Sequence, residues 1–150
     1  MDTMNDRRAE TVYRRFIELL SSGRMDEMAE VVDLERYREN CVGVTPGWVD
    51  WRDALQSYGQ HIYAALPDIR LDIEEVATAG DLAVARGSAT ATHTGAPLLG
   101  VPPSGRPVRY ELCDMVRVGD DGRISWRWLL CDLLTATRQA RGEPAPGGAA

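Results

Sequence analysis

Apolar positions recur every three or four residues along the first half of the chain and alternate along the second. From Asn5 to Leu20, the residues Ala9, Val12, Tyr13, Phe16, Leu19 and Leu20 mark one face of an amphipathic helix, which Ser21 to Gly23 ends. A shorter helix over Met25–Val32 turns Met28 and Val31 inward, and the segment Glu35–Val44 leads into a sheet. Helical spacing returns over Val49–Leu66 through Trp51, Ala54, Leu55, Tyr58, Ile62 and Leu66, with Asp50 placed to cap it and Pro67 to stop it.

From Asp68 the period falls to two, the mark of strands. Ile69, Leu71 and Ile73 alternate with Arg70 and Asp72, and Ala79-Gly80-Asp81 makes a turn. Leu82–Thr94 reads as a long strand poor in bulky residues, followed by a Gly- and Pro-rich loop over Gly95–Gly105. Val108–Val118 and Arg123–Asp132 form a hairpin around Gly119-Asp120-Asp121-Gly122, and a last short helix covers Leu133–Ala140. The division expected is one domain over residues 1–140 and a disordered tail over 141–150, whose Pro, Gly and Ala cannot pack. Three helices and an antiparallel meander bury themselves most simply as an α+β fold in which a curved sheet wraps the long third helix and leaves an internal pocket.

With 150 residues and 44% apolar content, one real core is expected. The net charge of −6 arises from 23 acids against 17 dispersed bases, which argues against nucleic acid as a partner. All 17 bases are arginine, so a lysine Schiff base or lysine general base is excluded. The first ten residues lack the apolar core of a signal peptide, and no stretch approaches the roughly 18 apolar residues of a membrane span. A cytoplasmic protein with no membrane contact is the expectation. Cys41, Cys113 and Cys131 show no CxxC spacing, and His61 and His93 form no HExxH or HxH pattern, so no metal is expected.

The candidate chemistry lies in the hairpin. By the period of two, Ile124, Trp126, Trp128, Leu130 and Asp132 share one face, placing a single carboxylate at the end of an apolar row. Desolvation of that kind suits a general base that removes a proton beside a carbonyl. The partner strand sets Tyr110, Leu112, Asp114 and Val116 on one face. A hairpin that keeps the apolar faces together puts Tyr110 opposite Asp132 and Asp114 opposite Trp128, though a slip of one residue would reverse the face. On this reading Asp132 takes the proton, Tyr110 or a water donates to the enolate, and Asp114 is a second titratable group. The structural alternatives are that Asp132 caps the final helix and that Asp114 makes a salt bridge. His93 follows Ala85, Gly87, Ala89 and Ala91 on its face, small residues that leave room for a ligand or for a packed helix. Trp51, Trp126 and Trp128 can stack on a flat ligand or fill core volume, with ligand contact favoured for Trp128. The opposite face, with Arg109, Glu111, Arg117 and Arg127 around Cys113 and Met115, suits a solvated sheet or a dimer interface.

Four stretches, taken in order and spacing, resemble the SnoaL-like polyketide cyclases of the nuclear transport factor 2-like superfamily. They are Ala65-Leu66-Pro67-Asp68, Thr92-His93-Thr94-Gly95, Leu99-Gly100-Val101-Pro102-Pro103-Ser104-Gly105-Arg106, and Asp114-Met115-Val116-Arg117-Val118 with Asp121-Gly122-Arg123-Ile124. The resemblance runs from about Asn5 to Gln139 and implies a cone-shaped α+β barrel, often dimeric, that closes a ring on a hydrophobic ester by an intramolecular aldol step without a cofactor. Trp128-Leu129-Leu130-Cys131-Asp132 resembles the family's tryptophan, three residues, aspartate pattern, which implies an acid/base role for Asp132. The chain departs from the family at Trp126-Arg127, where Glu-His is common, and at Glu39-Asn40, where a histidine is common; Asn40 then stands at the family's polar position, as a donor to a substrate carbonyl or as a turn residue. Hydroxylation, isomerisation, dehydration, epoxide hydrolysis and simple binding of a small molecule occur on the same scaffold, so fold alone does not select the reaction.

Overall fold

The computed structural model describes residues 3–144; the beginning of the chain and most of the expected tail lie outside the described residues. Helix α1 (Thr3–Ser22) turns through a short 3-10 helix (Met25–Glu30) into strand β1 (Arg38–Val42). Helix α2 (Trp51–Tyr58) is capped by Asp50, whose side chain accepts from the Asp53 amide. It continues as one π-helical turn (Gly59–Tyr63), so the long third helix expected from the spacing changes its winding halfway. Strands β2 (Arg70–Ala79), β3 (Leu82–Thr92), β4 (Pro107–Val118) and β5 (Ile124–Cys131) follow, and α3 (Leu133–Arg141) closes the chain.

The sheet runs in the order β1-β5-β4-β3-β2. It is mixed rather than wholly antiparallel, because β1 lies parallel to β5. It is also open, with β1 and β2 as its edges, a curved sheet rather than a closed barrel. One face carries two apolar clusters. The first joins Ile62, Ala65 and Leu66 to Ala89, Val108, Tyr110, Leu112, Leu129 and the α3 residues Leu133, Ala136 and Ala140. The second packs Tyr13, Phe16 and Leu19 of α1 and Met28 onto Ala83, Ala85, Val116, Val118 and Ile124. The alanines of β3 let α1 approach the sheet, and Gly87 sits between them because a Cβ there would stand 2.5 Å from the Asp72 carbonyl oxygen. The sheet therefore wraps two helical segments, α1 over one half and the α2 region over the other.

A β-bulge decides the chemistry of the last strand. Val118 pairs with Ile124, but Arg117 pairs with Trp126, so Ser125 is an extra residue. One inserted residue moves every later side chain of the strand to the other face. Ile124 points into the core, and beyond the bulge Arg127 and Leu129 are the buried positions. The expected row of Trp126, Trp128, Leu130 and Asp132 is thereby corrected: these four follow the outer face. Asp114 pairs with Leu129 and not with Trp128. The β4 face expected from alternation holds, with Tyr110, Leu112, Asp114 and Val116 all buried.

Asp132 is exposed and caps α3. Its Oδ1 accepts from the Thr135 amide at 3.1 Å and its Oδ2 from the Thr135 hydroxyl at 2.6 Å. These bonds hold its carboxyl below the usual aspartate range. Since the folded form is the more acidic, the contribution is present above the unfolded pKa and fades as pH falls through the folded one. Asp132→Ala is expected to cost about 1 kcal/mol at neutral pH, the usual value of an N-cap, and the gap from wild type should narrow in acid. Thermal melts of both proteins across pH 2 to 7 check this; equal melting temperatures at pH 7 would show that the cap does not matter.

Candidate active site

Between the two apolar clusters lies a cavity of about 50 Å³, room for a few water molecules. Its walls are Phe16, Ile17 and Leu20 of α1, Trp51, Leu55 and Tyr58 of α2, Tyr63 of the π turn, Leu71 and Ile73 of β2, and inward residues of β1, β4 and β5. Half-exposed Leu20, Leu55 and Leu71, with exposed Tyr63, surround its mouth.

The floor is polar and comes from three adjacent strands. Arg127 of β5, buried over the Phe16 ring at 5.0 Å, donates to both oxygens of Asp114 on β4, Nε to Oδ1 at 2.9 Å and Nη2 to Oδ2 at 2.8 Å. Its Nη1 donates to Glu39 Oε1 on β1 at 3.0 Å. Tyr13 of α1 donates to Asp114 Oδ2 at 3.1 Å, and Tyr37 donates to Glu39 Oε1 at 2.6 Å. Register explains the meeting: Glu39 pairs directly with Arg127 across the parallel ladder. Val49 exchanges both backbone bonds with Glu39, pinning the loop that feeds α2 over the cavity.

Within this cluster the two carboxylates differ. Both oxygens of Asp114 are used, whereas Glu39, only 1% exposed, has Oε1 doubly bonded and Oε2 without any hydrogen-bond partner. The Tyr58 hydroxyl, on the same cavity wall, is likewise buried and unpartnered. Burial would lower the Arg127 pKa, but Asp114 and Glu39 more than offset it and hold the guanidinium charged. Burial chiefly, with Glu39 and Cys41 nearby, keeps the Tyr58 phenol well above the ordinary tyrosine value. Burial raises the Tyr110 phenol too, and the partial burial of Tyr63, which reaches solvent, shifts it in the same direction. Three phenols on the wall are therefore proton donors at neutral pH. Among the described residues, no group of three or more His, Cys, Asp and Glu is placed to hold a metal ion.

The residues singled out by sequence separate into two groups. Asp114, Tyr110 and Trp51 line the cavity. Asn40 does not, because the inward residue of β1 is its neighbour Glu39. His93 is fully buried at the end of β3 outside the cavity wall, with Nε2 3.0 Å from the Ala96 carbonyl and its backbone tying Gly105 and Arg106 across the loop. Trp126 packs against Trp48 with tilted rings 5.4 Å apart and lies under Arg117, and Trp128 shares its outer face. Arg127, expected on the solvated face, is the buried centre of the floor. Glu39, Arg127 and Tyr58 are the site residues that sequence reasoning missed. The alternation of Tyr37, Glu39 and Cys41 on a short strand was the available signal for Glu39; nothing in the sequence revealed the bulge that turns Arg127 inward.

A family model of SnoaL-like polyketide cyclases matches residues 10–140. No curated protein matches. Among solved structures, IdmH, a candidate polyketide cyclase from Streptomyces antibioticus, is 25% identical, covering 87% of this chain and 96% of its own, with a TM-score of 0.77. TsrD from Streptomyces laurentii is also 25% identical, covering 89% and 94%, with a TM-score of 0.68. AclR from Streptomyces galilaeus, a candidate hydroxylase, shares the fold at 17% identity and a TM-score of 0.74, covering 92% of this chain and 83% of its own. With nearly its whole length matched and its open, curved α+β sheet shared with these structures, the chain belongs to the SnoaL-like polyketide cyclase family.

Proposed function

We propose that the protein is a cofactor-free acid–base enzyme that closes a ring in a hydrophobic ketone or ketoester by an intramolecular aldol step, with Glu39 as the base. The observation that carries this reading is the unpartnered Oε2 of Glu39, a buried acceptor on a residue that lines an apolar cavity. A buried acceptor left without a partner costs about 1–3 kcal/mol, a cost that a substrate C–H or O–H can relieve.

In the step proposed, Glu39 Oε2 takes a proton from the carbon beside a carbonyl, and the Tyr58 hydroxyl donates a hydrogen bond to the developing enolate oxygen. The enolate carbon attacks a second carbonyl of the same molecule, forming one carbon–carbon bond. The resulting alkoxide takes the proton back from Glu39, so no atom is gained or lost. Arg127 and Tyr37 fix the other oxygen of Glu39, leaving Oε2 with a set direction, and the surrounding rings exclude water. A polycyclic substrate exceeds the closed cavity, so Leu20, Leu55, Tyr63 and Leu71 must swing aside for entry. The same floor supports a second reading, activation by Glu39 of a water that opens an epoxide or cleaves an ester, which the few-water size of the cavity favours.

Glu39→Gln keeps the shape of the floor and removes the base. It should lower turnover of a cyclisable ketoester by roughly 10²–10⁴-fold, the usual worth of a general base, in protein whose far-ultraviolet circular dichroism shows it folded at the assay temperature. Asp132→Asn should retain wild-type turnover. Steady-state rates of both variants decide the matter, and full activity in Glu39→Gln sinks the assignment. Label from ¹⁸O water in the product would select the second reading.

We also propose that the protein is a homodimer joined through the outer sheet face. Val42, Trp48 and Leu130 are 41%, 50% and 44% exposed there, beside Trp126 and Trp128, and charged Arg38, Arg117 and Asp132 rim them. Such a patch of aromatic residues inside a charged rim suits a second copy related by a two-fold axis. Sedimentation equilibrium should give twice the 16.6 kDa chain mass for wild type and a monomer for Trp128→Glu. A wild-type monomer at high micromolar concentration would rule the dimer out.

A further inference from the structure

The charged side chains on the cavity wall are Glu39, Asp114 and Arg127, two acids against one base, and every other lining residue is neutral at pH 7. Arg127 is matched bidentately by Asp114, which leaves Glu39 as the surplus negative charge. Glu39 shares the wall with the aromatic residues Phe16, Trp51, Tyr58, Tyr63 and Tyr110. Aromatic faces attract cations, and a carboxylate beside them repays the desolvation of an ammonium group that an apolar wall alone could not.

We infer that Glu39 makes the chamber selective by charge: it receives hydrophobic molecules bearing a protonated amine in preference to neutral analogues, and refuses carboxylates. The inference rests on the reading of this cavity as the ligand site, and it names the chemical class that the site prefers. A carboxylate entering the same space would meet an excess acid, with the guanidinium already held by Asp114. A neutral alcohol can donate to Oε2 but brings no charge to balance it.

The test uses three slender molecules of one length, hexylammonium, hexanol and hexanoate, titrated calorimetrically into the full chain at pH 7. Hexylammonium should bind at least tenfold more tightly than hexanol, and hexanoate should give no heat. In Glu39→Gln the tenfold preference should vanish while hexanol still binds. Hexanoate binding as tightly as hexylammonium, a preference unchanged in Glu39→Gln, or no binding by any of the three would each overturn the inference. Should Glu39→Gln fail to fold, the wild-type ranking decides by itself. Turnover lost in Glu39→Gln with the amine preference intact would overturn this inference and leave the acid–base reading standing; the opposite pair of results would do the reverse.

Discussion

The guanidinium of Arg127 holds the middle of the molecule together. It is the point at which β1, β4 and β5 meet by side chains as well as by ladder bonds, and α1 closes over it through Phe16 and Tyr13. Taking three charges out of water is expensive, and their mutual attraction repays that expense only when the geometry is good and the remaining lone pairs are filled. Four of the five bonds described go to Asp114 Oδ2 or Glu39 Oε1, so those oxygens are saturated. The exception among the carboxylate oxygens is Glu39 Oε2. An ionic cluster built for stability alone would have no reason to leave that one atom bare.

The cluster also sets where the cavity can be. Apolar residues pack to near-crystal density, so two apolar clusters on one sheet face would merge if nothing polar stood between them. On β4 the inward row reads Val108, Tyr110, Leu112, Asp114, Val116, Val118, and Asp114 falls where the first cluster gives way to the second. On β5 Arg127 occupies the same boundary between Ile124 and Leu129. The space left above these charged groups is what α2 and its π turn roof over. Tyr58 at the end of α2 and Tyr63 at the end of the π turn both lie on the cavity wall.

How far the sequence foretold this depends on which physical signal carried each part. Periodicity is written in every residue of an element, so α1, the four later strands and α3 were legible to within a few residues, and the inward face of β4 with Asp114 and Tyr110 was read correctly. The parallel placement of β1 is a long-range pairing without a local pattern, and it was not foreseen. The bulge at Ser125 was the costly omission. A single inserted serine in a strand leaves no compositional trace, yet it reversed the fate of every residue from Trp126 to Asp132. Resemblance to a family pattern led to Asp132 for the same reason, since matching residues along a strand does not say which face they occupy.

The reversal has a chemical logic that neither aspartate reading contained. Asp132, turned out, is spent on a helix cap; Asp114, turned in, is spent on Arg127. Among the carboxylates of the described residues, Glu39 alone combines burial, a fixed orientation and a free oxygen, and it does so because its other oxygen is held by Arg127 and Tyr37. A base aimed by its own bonds needs no reorganisation when a substrate arrives, which is the condition under which a carboxylate in an apolar chamber contributes most to a proton transfer. On the acid–base reading proposed above, the unfilled acceptor is a local cost in stability offset by its use in the reaction, a pattern that belongs to a site rather than to a core.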